Sequence, residues 1–62
     1  MYTVGYRSGD FFYPLSTHGV FSEAMDSFRG HHLLCGWPRE MLEIRFDGVR
    51  VDNKVDWREN GF

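Results

Sequence analysis

The dipeptide Asp47-Gly48 lies between two short segments in which apolar and charged residues alternate. The apolar members of these segments are Leu42, Ile44, Phe46, Val49 and Val51. Asp-Gly in this setting predicts a type I′ turn, because both central residues of that turn need a positive φ. The chain therefore contains a β-hairpin in which Phe46 faces Val49 and Ile44 faces Val51.

The same register places Arg45 opposite Arg50 and Glu43 opposite Asp52. Like charges that face each other across a strand pair destabilise it, by up to about 1 kcal/mol. One interpretation is that diagonal contacts between Glu43 and Arg50 offset this cost. The other is that the arginine pair receives a carboxylate or phosphate from a partner.

A second hairpin is predicted at the start of the chain, where large residues alternate on both sides of turn-forming residues 7–10. A turn at Ser8-Gly9 gives the facing pairs Tyr6–Phe11, Val4–Tyr13 and Tyr2–Leu15. Pro14 has no amide donor, so its strand either lies at a sheet edge or ends there.

One amphipathic helix follows, because the apolar spacing changes after Val20. Its stripe consists of Phe21, Ala24, Met25, Phe28 and His32. Ser22 is expected to cap the N-terminus. The C-terminus is left open: the helix either stops at Gly30 or continues to His32 or Leu33.

The element order β-β-α-β-β predicts an α+β fold, a small two-layer sandwich with an antiparallel sheet and one amphipathic helix on one face. Residues 1–62 form a single domain, in which 58–62 are expected to fray; the strand order between the two hairpins stays open. Val55 and Trp57 continue the alternation of the last strand, and Trp37 is expected at the edge of the core. The predicted core is Val4, Tyr6, Phe11, Tyr13, Phe21, Ala24, Met25, Phe28, Leu42, Ile44, Phe46, Val49 and Val51.

Length and composition favour a cytoplasmic, non-catalytic protein. A chain of 62 residues has little room for a large catalytic cleft, and its apolar runs are too short for a membrane span. A single cysteine fits a reducing compartment, and no basic-then-apolar leader opens the chain. No phosphate-binding loop or paired-carboxylate site is recognisable, so we expect neither an enzyme nor a cofactor.

Three histidines and the cysteine suggest a metal site only weakly. His18, His31, His32 and Cys35 are ligand types for zinc, but a structural zinc site usually needs two closely spaced ligand pairs. We expect capping or half-buried roles for the histidines, and no bound metal.

The sheet face opposite the helix carries the candidate site. Its expected members are Thr3, Gly5, Phe12, Pro14, Glu43, Arg45, Arg50 and Asp52. An apolar group rimmed by charge is typical of an interface, so Phe12, Pro14, Arg45 and Arg50 are the predicted partner-binding residues. The alternative is that Phe12 packs under residues 16–19 or under the C-terminal tail.

The function expected from these features is a protein-binding module, an inhibitor or adaptor that occludes a site on a larger protein. In size, acidity and architecture the chain resembles the small inhibitors that bacteriophages encode against host machinery, including anti-CRISPR proteins and polymerase inhibitors. The alternative is a single-stranded nucleic-acid-binding domain that stacks bases on aromatic rings and holds phosphate with the arginine pair. A formal charge of −2 disfavours generic nucleic-acid binding. A homodimer formed through the open face is a third possibility.

Overall fold

A computed structural model describes residues 1–54 of the chain. Its elements are β1 (Tyr2–Ser8), β2 (Phe11–His18), α1 (Phe21–Leu33), β3 (Leu42–Phe46) and β4 (Val49–Arg50), with 3₁₀ turns at Arg39–Met41 and Asp52–Lys54. One helix packs on one four-stranded antiparallel sheet, which confirms the predicted α+β fold. The predictions for Val55, Trp57 and the tail 58–62 lie outside the described residues.

The two hairpins join into one sheet of strand order β2-β1-β3-β4. β1 is central and pairs antiparallel with β3, so that Val4 faces Ile44 and Tyr6 faces Leu42. The sequence left this order open. It matters for the candidate site, because β1 lies between the strand of Phe12 and the strand of Arg45.

The β3–β4 hairpin has the predicted register. Asp47 and Gly48 both have positive φ, 50° and 83°, as a type I′ turn requires. Phe46 pairs with Val49, and the Val51 amide donates to the Ile44 carbonyl at 2.8 Å.

One part of the predicted pairing in this hairpin is wrong. β4 ends at Arg50, and the chain turns into a 3₁₀ helix at Asp52. Asp52 therefore does not face Glu43 in the ladder; its side chain instead bonds to the backbone of β3.

The turn predicted at Ser8-Gly9 is also wrong, because the two central residues are Gly9 and Asp10. Gly9 has a φ of 61° whereas Asp10 does not have a positive φ, which is the pattern of a type II′ turn with glycine first. Ser8 pairs with Phe11 as a result. The facing pair is then Tyr6 with Tyr13, and not Tyr6 with Phe11.

A bulge in β2 changes the alternation after Pro14. Gly5 pairs with Pro14 but Val4 pairs with Ser16, so Leu15 is the extra residue. Tyr2 consequently pairs with His18, which corrects the predicted Tyr2–Leu15 and Val4–Tyr13 pairs. The bulge turns Ser16 toward the helix, where its hydroxyl lies 2.8 Å from that of Ser27.

The helix begins two residues earlier than expected. Val20 occupies the N-cap position without a side-chain bond, so the prediction that Ser22 caps the helix is wrong. Phe21 lies within the first turn, where its ring packs on Tyr2 at a centroid distance of 5.2 Å. At the other end the helix passes through Gly30 and stops at Leu33.

The core is smaller than predicted, because one 13-residue helix covers only about 20 Å of sheet. Its fully buried apolar members are Val4, Ala24, Phe28, Leu42 and Ile44. Half-buried residues surround them, namely Tyr2, Tyr6, Phe21, Met25, Trp37 and Val51. Four predicted core residues lie beyond the reach of the helix, near the hairpin turns, and are exposed: Phe11, Tyr13, Phe46 and Val49.

Candidate functional site

Cross-strand pairing defines the sheet surface that α1 does not cover, here called the open face. Its members are Thr3, Gly5, Arg7, Phe12, Pro14, Glu43, Arg45 and Arg50. All four predicted partner-binding residues therefore lie on one surface. The expectation that these positions are open to water or a partner is wrong for Gly5, Glu43 and Asp52, which are buried.

Gly5 forms the floor beneath Phe12. A Cβ atom at position 5 would lie 2.2 Å from the Tyr13 carbonyl oxygen and 2.7 Å from Cζ of Phe12. These separations are far below van der Waals contact, so only glycine fits at this position. The missing side chain leaves the space that the Phe12 ring occupies beside β1.

Arg45 lies over the Phe12 ring. Its guanidinium carbon lies 4.0 Å from the centroid of Phe12, within the range of a cation–π contact. Phe12 comes from β2 and Arg45 from β3, and the contact spans the glycine on the central strand. Phe12 is thus half-buried between Gly5 and Arg45; the alternative that the tail covers it concerns residues outside 1–54.

Glu43 is a buried carboxylate shared by three arginines, although it lies on the open face. Only 3% of this residue is exposed. Oε2 accepts a hydrogen bond from Arg45 Nε at 3.0 Å, and Oε1 lies 3.0 Å from Arg7 Nε and 3.6 Å from Arg50 Nη1. The diagonal Glu43–Arg50 contact expected from the register is therefore present.

Asp52 is the second buried carboxylate, and it fixes Arg50. Its Oδ1 accepts from the Ile44 amide and from Arg50 Nε, and its Oδ2 accepts from Arg50 Nη2, all at 3.0 Å. The hydrogen bond to Asp52 raises the pKa of Arg50 above its ordinary value, against the opposing effect of burial. Arg50 therefore stays charged and held in one orientation.

The charged residues of the open face form, together with Asp52, an internally paired cluster with a small positive excess. Three arginines and two carboxylates give a local charge of +1, in a chain whose formal charge is −2. Within residues 1–54, no buried side-chain polar atom lacks a hydrogen-bond partner. The arginine pair is thus already neutralised in large part before any partner arrives.

Arg7 is the member of this cluster that sequence reasoning missed. It lies near the end of β1, where the sequence suggests only turn residues. Its place on the open face depends on pairing with Phe12, and thus on a turn at Gly9-Asp10. A glycine followed by aspartate was the available signal, since that order suits a type II′ turn.

The histidines and Cys35 take separate structural places. His32 Nδ1 donates to the Trp37 carbonyl at 2.8 Å, His18 Nε2 lies 2.9 Å from the Ser16 hydroxyl, and Cys35 is exposed. In the described part of the chain, no three His, Cys, Asp or Glu residues are grouped so that they could hold a metal ion.

A row of aromatic side chains lies on the helix side of the sheet and was not anticipated. This aromatic row consists of Trp37, Tyr6, Tyr13 and Phe11. Tyr6 stacks on Trp37 at 4.3 Å and on Tyr13 at 4.9 Å, and Phe11 lies 6.3 Å from Tyr13. Phe11 is 71% exposed, so the row extends from the core edge into solvent.

Comparison with protein-family models, with curated proteins and with solved structures gives no match. None of the helices in residues 1–54 has the length and apolar character needed to cross a membrane.

Proposed function

We propose that this chain is a non-catalytic protein-binding module, an inhibitor or adaptor that covers a site on a larger protein through its open face. The observation that carries the proposal is the Arg45 guanidinium, which is fixed on the Phe12 ring and on buried Glu43 at once. Aromatic residues and arginine are the types that most often dominate binding energy at protein interfaces.

The fixed geometry supports binding for an energetic reason. Ordering a flexible side chain at an interface costs about 0.5–1.5 kcal/mol. Arg45 and Arg50 are already held by hydrogen bonds to buried carboxylates in the free protein. A partner that docks on this face therefore meets side chains that are already ordered, and binding avoids this part of the cost.

Single-stranded nucleic-acid binding is the second candidate, and the aromatic row favours it. Stacked and exposed rings suit base stacking. The arginine pair, however, lies on the opposite side of the sheet from Tyr6 and Tyr13, so one strand would not reach both at once. Glu43 and Asp52 already neutralise most of the arginine charge, which leaves little for phosphate groups and further favours a protein partner.

The proposal also places the protein in the cytoplasm, as an inhibitor of the kind that bacteriophages encode. Small size, acidity and a one-helix sheet are shared with the inhibitors that bacteriophages direct against host proteins. A single cysteine, exposed at position 35, suits a reducing cytoplasm. The inhibitor would act there by occlusion, since its proposed surface offers contacts and no reactive group.

Photo-crosslinking from neighbouring positions of β2 tests the proposal. A benzoylphenylalanine at Pro14 points from the open face, and the same probe at Tyr13 points from the helix side. Both positions are exposed, so the second variant is a matched control. In lysate of the source cells, we expect one crosslinked protein from position 14 and little from position 13. Crosslinking from position 13 alone, or from neither, would refute the open face as the binding surface.

A further inference from the structure

We infer that the outer N–H groups of Arg7 and Arg45 bind a carboxylate from an acidic segment of the partner protein. This inference rests on the proposed function and names the chemistry of the partner at the open face. It concerns the guanidinium edges that Glu43 leaves unused. The site is therefore formed by two arginines that share one buried carboxylate.

Arg7 and Arg45 hold Glu43 from two sides. Arg7 Nε lies 3.0 Å from Oε1, and Arg45 Nε lies 3.0 Å from Oε2. A guanidinium has five N–H donors, and these contacts use one from each arginine. The Nη groups of both residues make no hydrogen bond to another part of residues 1–54 and are available to a ligand.

Exposure and charge fit a ligand at these groups. The Arg7 side chain is 50% exposed and that of Arg45 is 30% exposed, while Glu43 beneath them is buried. The cluster contains three arginines and two carboxylates, so one positive charge is not neutralised. One added carboxylate would bring the local charge to zero, and planar Nη edges suit bidentate binding of a carboxylate.

The surroundings favour a protein carboxylate over a nucleic-acid backbone. Phe12 pairs with Arg7 and lies under Arg45, and Pro14 follows it on the same face opposite Gly5, so both supply apolar contact area. Polyanion binding draws its affinity from many phosphate contacts made together, and an excess charge of +1 supports few of them. A glutamate or aspartate next to an apolar residue fits both features of this surface.

Titration with a hexaglutamate peptide at low ionic strength tests the inference, with the arginine Nε–Hε NMR signals as the readout. We expect saturable shifts at Arg7 and Arg45. Arg29, which pairs with Asp26 on α1, should not shift. Absence of shifts at Arg7 and Arg45 would refute the inference.

Matched charge variants give the second readout. Arg7→Gln and Arg29→Gln lower the net charge equally, but only the first removes donors from the open face. We expect Arg7→Gln to weaken peptide binding about tenfold, the equivalent of one charge-assisted hydrogen bond, and Arg29→Gln to weaken it less than twofold. Equal losses would show that general attraction explains the binding and would refute the site.

A thymidine hexanucleotide in place of the peptide separates the partner classes. Tighter binding of the oligonucleotide at the same arginines would refute the protein carboxylate. Failure of the carboxylate inference can be told apart from failure of the proposed function. Crosslinking from position 14 to a segment without Asp or Glu would refute the carboxylate but leave the protein-binding module in place.

Discussion

Arg45 lies directly opposite Arg50 in the β3–β4 ladder. The buried Glu43 carboxylate contacts both of their guanidinium groups and that of Arg7. Two like charges at this position would destabilise the strand pair if they stood alone. Glu43 and Asp52 remove the repulsion, because each arginine contacts at least one carboxylate oxygen at 3.0 Å. The like-charged pair is thus part of a stable network that also orients the open face.

Glu43→Gln should destabilise the fold, because it removes the charge that three arginines share. We expect a loss of about 1–3 kcal/mol in the free energy of unfolding. This is below the 3–5 kcal/mol typical of a fully buried pair, since the arginines reach water. Urea unfolding measures the loss, and Glu40→Gln on the exposed 3₁₀ turn is the control that should change little. Equal midpoints for the two variants would contradict the shared-carboxylate arrangement.

Two glycine-to-alanine changes should have opposite effects on stability. Gly5→Ala places a Cβ atom 2.2 Å from the Tyr13 carbonyl oxygen and should destabilise the sheet markedly. Gly30→Ala meets nothing within 4 Å and lies inside α1, so it should stabilise the protein by about 0.5–1 kcal/mol. Thermal melting of both variants measures the difference. A stabilising Gly5→Ala would mean that the ring of Phe12 does not lie against β1.

Phe28→Ala should cost about 3–5 kcal/mol, because Phe28 is the largest side chain of the core and is buried. A domain of this size has little more stability than that, so the variant should be largely unfolded. Circular dichroism at 25 °C measures the folded fraction. A melting temperature within a few degrees of the parent would contradict the helix orientation.

Removal of metal should leave the fold unchanged. His18 and His32 have protein partners, and Cys35 is exposed. We expect the thermal midpoint to be the same with and without EDTA, and Cys35→Ser to fold as the parent does. A structural zinc ion would supply folding free energy on the order of 10 kcal/mol, so unfolding by EDTA would contradict this account.

The parts of the fold that local sequence determines were predictable. Asp47-Gly48 specified its hairpin and register, because few dipeptides tolerate two consecutive positive φ angles. The stripe Phe21, Ala24 and Phe28 specified the helix face that packs on the sheet. On these grounds the sequence also placed Arg45 opposite Arg50.

The rest depended on non-local geometry. Ser8-Gly9 and Gly9-Asp10 both suit a turn, and the choice between them changes every partner of Phe12. Because of the bulge at Leu15, Ser16 takes the position on the helix side of the sheet that the alternation predicts for Leu15. Strand order then decides whether Arg45 reaches Phe12, and alternation within single strands carries no information about that order.

The measurement that tests the open face most directly is the affinity of the crosslinked partner for three alanine variants. Phe12→Ala and Arg45→Ala remove the ordered pair on the open face, whereas Phe11→Ala removes the most exposed ring of the aromatic row. We predict at least a tenfold increase in Kd for each open-face variant, about 1.4 kcal/mol, and less than a twofold change for Phe11→Ala. A large loss with Phe11→Ala and none with Phe12→Ala or Arg45→Ala would contradict the account and assign binding to the aromatic row.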